Sequence, residues 1–217
     1  MTSRYHHGDL KAALVFHASR VLRDEGLAGF SVAKVAKSAG VSIAAPYRHF
    51  LDRDALLAVT ASQLAAKLVA ALMTACAQAP PEPIEQLAVT AGVYARFVIE
   101  TNVGMELLFA ERFAGARYHM LHAETRRLMD VLLPLGLHVV DGAPSESTAL
   151  AGALDVLEAH IAVAHGYGRM QSHGVFASGA FTTEDVAMRA VGAARALAIG
   201  RRSLGNSIGD SLRAHSS

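Results

Sequence analysis

Side chains that can contact a nucleic-acid backbone are concentrated between Phe30 and Arg53. Polar rings, hydroxyl groups and positive charges commonly hydrogen-bond to phosphate oxygens, and exposed N–H groups at helix N-termini also bind phosphate. On these grounds we predict six phosphate contacts: Ser31, Lys34, Ser42, Tyr47, His49 and Arg53.

Three neighbouring residues in the same stretch are candidates for reading DNA bases. Ile43 and Ala44 are apolar, and an apolar side chain can recognise only the methyl group of thymine. Arg48 can form a bidentate pair with guanine. We therefore predict a half-site that is T-rich near Ile43 and Ala44 and has a guanine opposite Arg48. A further phosphate contact is the alternative role for Arg48.

Two short helices are expected to position these groups. Ser31 can cap a helix that ends near Ser38, and Gly40 allows the turn that follows. Ser42 can cap a second helix that continues through Phe50. Two capped helices joined by such a turn form a helix-turn-helix, whose second helix enters the major groove of DNA.

The segment before this motif predicts a first helix that completes a three-helix domain. Asp9 can cap it, its apolar residues recur with a helical period, and Gly26 ends it. A polar arm, Met1 to Gly8, precedes it. Residues 1–60 contain eight Lys or Arg and five Asp or Glu, whereas the remainder contains twelve and fourteen. This modest basic excess suits a DNA-binding domain.

The order of these residues resembles the DNA-binding domain of the TetR (tetracycline-repressor-like) family of transcriptional regulators. The resemblance rests on Gly40-Val41-Ser42, Tyr47-x-His49-Phe50 and Asp52-Arg53, and it extends over roughly residues 5 to 60. It implies that Tyr47, His49 and Arg53 contact the DNA backbone, with Arg53 in place of the usual Lys. It also implies a homodimeric repressor that a small-molecule effector releases from a palindromic operator.

The rest of the chain predicts helices without strand-like alternation. We expect an all-α fold of about nine helices, with a long helix from Arg53 to about Gln78 that ends at the proline-rich segment 79–83. Further helices are predicted at 85–102, 104–114, 118–137, 145–172 and 183–202. The predicted domains are a DNA-binding domain at 1–60, an effector-binding and dimerisation domain at 61–202, and a disordered tail at 203–217.

The last two predicted helices are apolar around much of their circumference and rich in small residues, which predicts burial. The resemblance implies dimerisation through a four-helix bundle of such helices. The predicted interface residues are Leu157, Ile161, Ala164, Gly166, Ala190, Ala194 and Leu197. The His165-Gly166 pair also resembles a subgroup with a Trp-His-Gly signature, although Ala164 stands in place of the tryptophan.

Large apolar and aromatic side chains with a few polar ones are typical of ligand pockets. The candidates for an effector pocket are Tyr94, Phe97, Met105, Phe109, Phe113, His122, Met129 and His160, and ordinary core packing is the alternative for each. The spacing of His119 and His122 would let them share a helix face. No Cys or acidic partner completes a metal site, so we predict neither metal nor cofactor.

Composition and motifs bear on the remaining functional classes. The chain is 52% hydrophobic, but no uninterrupted apolar run approaches the ~20 residues of a membrane helix. The absence of a signal-peptide pattern and a single cysteine, Cys76, favour the cytoplasm and no membrane partner. Common catalytic motifs are absent, so we predict no enzyme. The alternatives are an architectural DNA-binding protein without effector and, less favoured, an all-helical enzyme.

Overall fold

The structure is a computed structural model that describes residues 7–140, 145–176 and 181–214. Over these residues the chain forms eight α-helices and three short 3-10 helices, and it contains no strand. The all-α prediction is therefore confirmed. Six residues of the predicted N-terminal arm lie outside the described residues.

The α-helices are α1 (His7–Gly29), α2 (Val32–Ser38), α3 (Arg53–Gln78), α4 (Pro83–Thr101), α5 (Met105–Leu108), α6 (His119–Val139), α7 (Glu146–Ser172) and α8 (Thr183–Ala214). The 3-10 helices are Pro46–Arg48, Glu111–Phe113 and Ala116–Tyr118.

Contacts along the chain divide it into two units. The first, called the N-terminal unit below, comprises Met1–Lys67 and Glu100–Arg126. The second, called the C-terminal unit, comprises Leu68–Ile99 and Arg127–Ser217. The predicted functional boundary between residues 60 and 61 stays a prediction.

The N-terminal unit has an aliphatic core supplied by α1, α2 and α3. Leu14, Val35 and Leu56 are fully buried there. Gly26 interrupts α1 with φ of 68°, a left-handed conformation that glycine adopts at little cost. The first helix therefore loses its regular geometry at the glycine where the sequence predicted its end.

The C-terminal unit contains close approaches between helices that only small residues permit. A Cβ atom added to Gly168 of α7 would lie 2.8 Å from Cβ of Val98 on α4. One added to Gly92 of α4 would lie 2.7 Å from a methyl carbon of Val191 on α8. Larger side chains at either glycine would force these helices apart.

Two predicted segments outside the DNA-binding motif differ from the structure. The helix expected at 104–114 is divided into α5 and a 3-10 helix, because Ala110 takes an extended backbone conformation (φ −62°, ψ 130°). At the other end of the chain, α8 continues to Ala214 instead of giving way to a tail at residue 203. No proline interrupts residues 183–214, so the helical hydrogen bonds can continue.

Two helices have the length and hydropathy of a membrane span. An 18-residue window in α3 has a mean hydropathy of 1.7 and is 61% buried inside the protein, as is common for a core helix. The corresponding window in α7 has a mean hydropathy of 1.3 and is 28% buried. The helix α7 therefore leaves large apolar side chains such as Leu150 and Leu154 exposed on the described chain.

Candidate nucleic-acid interface

The first helix of the predicted DNA-binding motif forms as the sequence indicates. The hydroxyl of Ser31 accepts a hydrogen bond from the backbone N–H of Lys34 over 3.3 Å, and this caps α2. Val32, Val35 and Ala36 are buried on one face of α2. Gly40 then turns the chain with φ of 68°.

The second helix, predicted from Ser42 to Phe50, is not a continuous α-helix. The backbone N–H of Ala45 bonds to the carbonyl oxygen of Ser42 over 3.0 Å, and that of His49 to Pro46 over 2.9 Å. Both bonds span three residues. Pro46 has no N–H and cannot make the bond to Ser42 that an α-helix requires. The segment is therefore a turn followed by the 3-10 helix Pro46–Arg48, and Ser42 does not cap a regular helix.

Five of the predicted DNA contacts nevertheless form one exposed stretch of surface. Ile43 is 65% exposed and Tyr47 is 54% exposed. We call this stretch the recognition surface; its residues are Ser42, Ile43, Ala44, Tyr47 and Arg48. Pro46 and Phe50 point inward and are buried, so they anchor the segment that carries it.

Lys34 has partners inside the protein. Its ammonium group forms an ion pair with Glu25 and donates a hydrogen bond to the carbonyl oxygen of Gly29 over 3.0 Å. Its side chain remains 45% exposed. A phosphate contact by Lys34 would therefore compete with the carboxylate of Glu25.

Arg53 is held by the backbone that links α1 to α2. Its guanidinium donates to the carbonyl oxygens of Phe30 and Leu27, each over 3.4 Å, and lies 5.4 Å from the ring centre of Phe30. It also pairs with Asp54 over 3.3 Å. The predicted phosphate contact stays a prediction, but the structure gives Arg53 a second role in fixing the position of α2.

His49, the remaining predicted contact, is half-buried beside the exposed Arg48. His49 caps the C-terminus of the 3-10 helix Pro46–Arg48, and its backbone N–H bonds to the carbonyl oxygen of Pro46. Its ring is thus less accessible than that of Tyr47.

Asp52 is a functional candidate that the sequence analysis did not single out. One carboxylate oxygen accepts the backbone N–H of Ala55 over 2.7 Å at the start of α3, and the other accepts a hydrogen bond from Arg117 over 3.0 Å. The Ala55 N–H and the guanidinium of Arg117 lower the pKa of the Asp52 carboxyl. An Asp just before an apolar helix signals a cap, but no sequence pattern indicates Arg117 as its partner.

A cavity of about 260 Å³ lies beside this ion pair within the N-terminal unit. Leu51, Ala55, Ala58 and Val59 line one side, and residues 117–121 line the other. None of these residues is among the predicted pocket residues. The cavity forms because α6 begins next to the first turns of α3, a tertiary contact that periodicity does not reveal.

The predicted pocket residues divide between the two units. Met105, Phe109, Phe113 and His122 belong to the N-terminal unit, whereas Tyr94, Phe97, Met129 and His160 belong to the C-terminal unit. In the first group, Phe113 packs edge-on against Tyr118, and Nε2 of His122 lies 2.6 Å from the carbonyl oxygen of Phe113. Phe109 is 51% exposed.

In the C-terminal unit, α4 and α7 bring polar and aromatic groups together. The rings of Tyr94 and His165 are stacked, and the Tyr94 hydroxyl lies 3.1 Å from Nδ1 of His165. One turn earlier on α4, Thr90 Oγ1 lies 2.9 Å from Nε2 of His160. Burial lowers the pKa of His160 to about 4, and its Nδ1 has no hydrogen-bond partner among the described residues.

The predicted dimer residues do not share one outward face. Leu157, Ala164, Ala190 and Ala194 are almost fully buried against their own chain, while Ile161, Gly166 and Leu197 are half-buried. The helices α7 and α8 pack against each other within one subunit. The exposed apolar side chains of the two helices are instead Leu150, Leu154, Met170, Met188 and Ile199.

Among residues 7–140, 145–176 and 181–214, no group of three or more His, Cys, Asp or Glu side chains could hold a metal ion. Cys76 is a half-buried free thiol, and burial raises its pKa. Its sulfur contacts the carbonyl oxygen of Gln86 at 3.7 Å, so the thiolate that nucleophilic chemistry requires is disfavoured.

Comparisons with known proteins identify similar sequences and folds. Residues 14–60 match the family model of the bacterial regulatory proteins of the tetR family. No curated protein matches the chain. A solved structure of a protein of unknown function from Rhodococcus sp. RHA1 is 27% identical, with a TM-score of 0.64, and the match covers 89% of this chain and 97% of that one.

Two further solved structures share the fold. A TetR-family transcriptional regulator from Streptomyces coelicolor is 19% identical, with a TM-score of 0.61, and the match covers 88% of this chain and 95% of that one. The transcriptional regulator FadR from Bacillus subtilis, in complex with stearoyl-CoA, is 10% identical, with a TM-score of 0.60 and coverage of 84% and 96%. The similarity therefore extends over nearly the full length of each chain.

Proposed function

We propose that this chain, a TetR-family protein by its matching DNA-binding domain, is a homodimeric repressor that a small-molecule effector releases from a palindromic operator. The recognition surface carries the proposal. Its five residues are exposed side by side directly after α2, and they are anchored from below by Pro46 and Phe50.

The chemistry of the recognition surface favours double-stranded DNA as the partner. Tyr47 offers a hydroxyl group to phosphate, and Arg48 is exposed and long enough to reach a guanine edge. Ile43 is 65% exposed and could contact the methyl group of a thymine. We retain residues 1–60 as the DNA-binding domain.

The exposed apolar side chains of α7 and α8 support the proposed homodimer. Leu154 is 45% exposed, Met188 59% and Ile199 49%. We infer that a second copy covers them, because a self-complementary apolar face is typical of a two-fold interface. Such a dimer would present two recognition surfaces to major grooves about 34–36 Å apart, or farther if the half-sites are more widely spaced.

An effector would act by favouring a dimer conformation in which the two recognition surfaces are wrongly spaced. It can shift the equilibrium only by its difference in affinity for the two conformations. Support comes from the FadR structure, whose fold this chain shares and which holds stearoyl-CoA. The predicted pocket residues Tyr94 and His160 are 4% and 2% exposed in this structure, so their contact with such a ligand stays a prediction.

The proposed cellular setting is the cytoplasm, where the DNA is, with neither a membrane partner nor a catalytic role. Arg53–Gln78, the more apolar of the two long helices, is mostly buried in the protein. The catalytic motifs sought in the sequence are absent, and the only cysteine has a raised pKa.

Selection from a pool of random DNA duplexes tests the proposal without knowledge of the operator. We expect the full-length protein to enrich a palindrome whose half-sites contain guanine flanked by thymines. Compounds that release this duplex would then be sought by fluorescence polarisation. Enrichment of no sequence would contradict the repressor function, and a palindrome that no compound releases would favour an architectural protein.

A further inference from the structure

The cavity of the N-terminal unit begins where the DNA-binding segment ends. Tyr47 and Arg48 belong to the recognition surface, and Leu51, three residues later, lines the cavity. Leu51 is 80% exposed, so its side chain is accessible to a ligand. A ligand in the cavity would therefore contact the chain close to the DNA-binding residues.

The side chains that line the cavity indicate the size and polarity of a ligand that would fit it. Ala55, Ala58 and Val59 supply methyl groups on one side, and Tyr118 and Leu121 supply apolar surface on the other. A volume of about 260 Å³ exceeds the roughly 150 Å³ of a cavity that takes benzene and lies below the roughly 300 Å³ at which pockets for drug-sized ligands begin. The body is thus small and apolar.

Arg117 defines the polar end of the ligand. Its guanidinium lies 4.5 Å from the ring centre of Tyr118 and donates a hydrogen bond to the Tyr118 hydroxyl, and its side chain is 50% exposed. It already binds one carboxylate, that of Asp52, over 3.0 Å. A guanidinium and a carboxylate match in geometry and charge, so a carboxylate is the group best suited to this position.

We propose that the cavity binds a small monocarboxylate with an apolar body, whose carboxylate takes the place of Asp52 on Arg117, and that this exchange weakens DNA binding. Asp52 keeps its hydrogen bond from the Ala55 N–H, so α3 retains its cap. The exchange breaks the ion pair between Asp52 and Arg117, which joins residue 52 to the segment 116–118. The regulatory part of this inference rests on the DNA-binding function proposed above, whereas the binding part does not.

The Asp52–Arg117 ion pair is close in sequence to the recognition surface, so its loss can affect the DNA-binding residues. Asp52 follows Phe50 and Leu51, and Phe50 is the buried anchor of the segment that carries Tyr47 and Arg48. A ligand that displaces Asp52 and contacts Leu51 favours positions of residues 47–52 other than those that fit the major groove. The expected loss of DNA affinity is at least about fivefold, the lower end of typical coupling between sites.

Octanoate and 1-octanol are suitable probes, because they share an apolar chain and differ in the charged end. Octanoate in the millimolar range should raise the thermal unfolding midpoint of the full-length protein more than 1-octanol does. Substitution R117Q should weaken octanoate binding about tenfold and remove its preference over 1-octanol. Equal binding of both probes by the unsubstituted protein would overturn the role of Arg117.

A cavity-filling substitution, A55L, tests the location of the site. Ala55 lines the cavity, whereas Ala66, on the same helix and equally half-buried, does not. A55L should abolish the octanoate effect, and the matched control A66L should retain it. Retention of the effect in A55L would show that octanoate binds elsewhere, which would overturn the site. Loss in both variants, with normal circular dichroism, would do the same.

Fluorescence polarisation with the selected duplex tests the regulatory part. Octanoate should release the duplex from the unsubstituted protein and from A66L but not from A55L. If octanoate binds in the cavity and leaves the DNA affinity unchanged, the regulatory part is wrong and the binding site stands. If the protein binds no duplex even without octanoate, the proposed repressor function fails, and the thermal measurements still decide the cavity.

Discussion

Nε2 of His160 lies 2.9 Å from Oγ1 of Thr90 in the interior of the C-terminal unit. The imidazole is 2% exposed, and its burial lowers its pKa from 6.5 to about 4. Because the Thr90 hydroxyl donates its only proton to the carbonyl oxygen of Leu87 over 2.6 Å, Nε2–H of the neutral imidazole donates to Oγ1 of Thr90, and the unprotonated Nδ1 is buried without a partner among the described residues. The interior is therefore built for a neutral histidine.

This relationship predicts a loss of stability in mild acid. The unfolded chain takes up a proton at His160 as the pH falls through 6.5, whereas the folded chain does so only near pH 4. Stability is thus complete above pH 6.5, declines between 6.5 and 4, and is lower by about 3 kcal/mol at the acid end. Urea unfolding of the unsubstituted protein and H160Q at pH 7 and pH 5 measures the contribution.

H160Q should lose less stability between the two pH values than the unsubstituted protein, by about 2 kcal/mol. The matched control is H173Q, which removes an exposed histidine and should leave the pH dependence unchanged. A pH dependence in H160Q equal to that of the unsubstituted protein would show that His160 does not control the acid response.

Arg53 should contribute to the stability of the N-terminal unit in addition to any contact with DNA. Its guanidinium binds the carbonyl oxygens of Phe30 and Leu27 and lies over the Phe30 ring. The hydrogen bonds are long and the side chain is 37% exposed, so R53A should destabilise the protein by only about 1 kcal/mol. Urea unfolding measures this loss, and K37A, which removes an exposed cation of α2, should change it by less than about 0.5 kcal/mol.

Arg48 should discriminate one base pair of the operator. If it pairs with guanine, R48A loses about 1–3 kcal/mol of affinity on the selected duplex and less on a duplex in which that guanine is replaced. Fluorescence polarisation with both duplexes measures the difference. A uniform loss on the two duplexes would assign Arg48 to a phosphate instead.

The exposed face of α7 and α8 should hold the dimer together. M188E places a charge on a side chain that is 59% exposed, and an unpaired charge buried in an apolar interface should yield monomers. The matched control is M73E on α3, because Met73 is 53% exposed and lies outside these two helices. Analytical ultracentrifugation that finds M188E as dimeric as M73E would place the interface elsewhere.

Much of the fold could be predicted, because helix-ending prolines, helix caps and the spacing of apolar residues determine helices from the local sequence. The bounds of α3, Arg53–Gln78, agree with the sequence prediction, since the prolines at 80, 81 and 83 end the helix wherever the rest of the chain lies. Ser145 caps α7 by accepting the N–H of Thr148 over 3.2 Å, which its position before Glu146 indicates.

The prediction of a second α-helix in the DNA-binding motif was wrong for a physical reason. The prediction continued an α-helix from Ser42 through Phe50, a span that contains Pro46. In the structure Pro46 cannot bond to Ser42, the backbone N–H groups of Ala45, Arg48 and His49 make bonds that span three residues, and that of Phe50 bonds to Pro46 across four. The side chains of Ile43, Tyr47 and Arg48 are nevertheless exposed, although no continuous α-helix carries them.

The outward face of α7 and α8 could not be derived from composition. Both helices are apolar on more than one side, so Leu157 and Leu154 look alike in the sequence, although the first is 2% exposed and the second 45%. Which stripe packs within the chain depends on partners such as α4. Asp52 and Arg117 are 65 positions apart in the sequence, so no local sequence pattern indicates their pairing.

The most direct test of the central claim is a salt series of binding to the selected duplex by the unsubstituted protein, Y47A and Y47F. A repressor that docks through its recognition surface should bind tightly with a steep salt dependence, and Y47A should weaken binding on the order of tenfold. Y47F, which keeps the ring and removes the hydroxyl, should match Y47A if the hydroxyl binds phosphate. Binding that is equal for Y47A and the unsubstituted protein at every salt concentration would contradict the account.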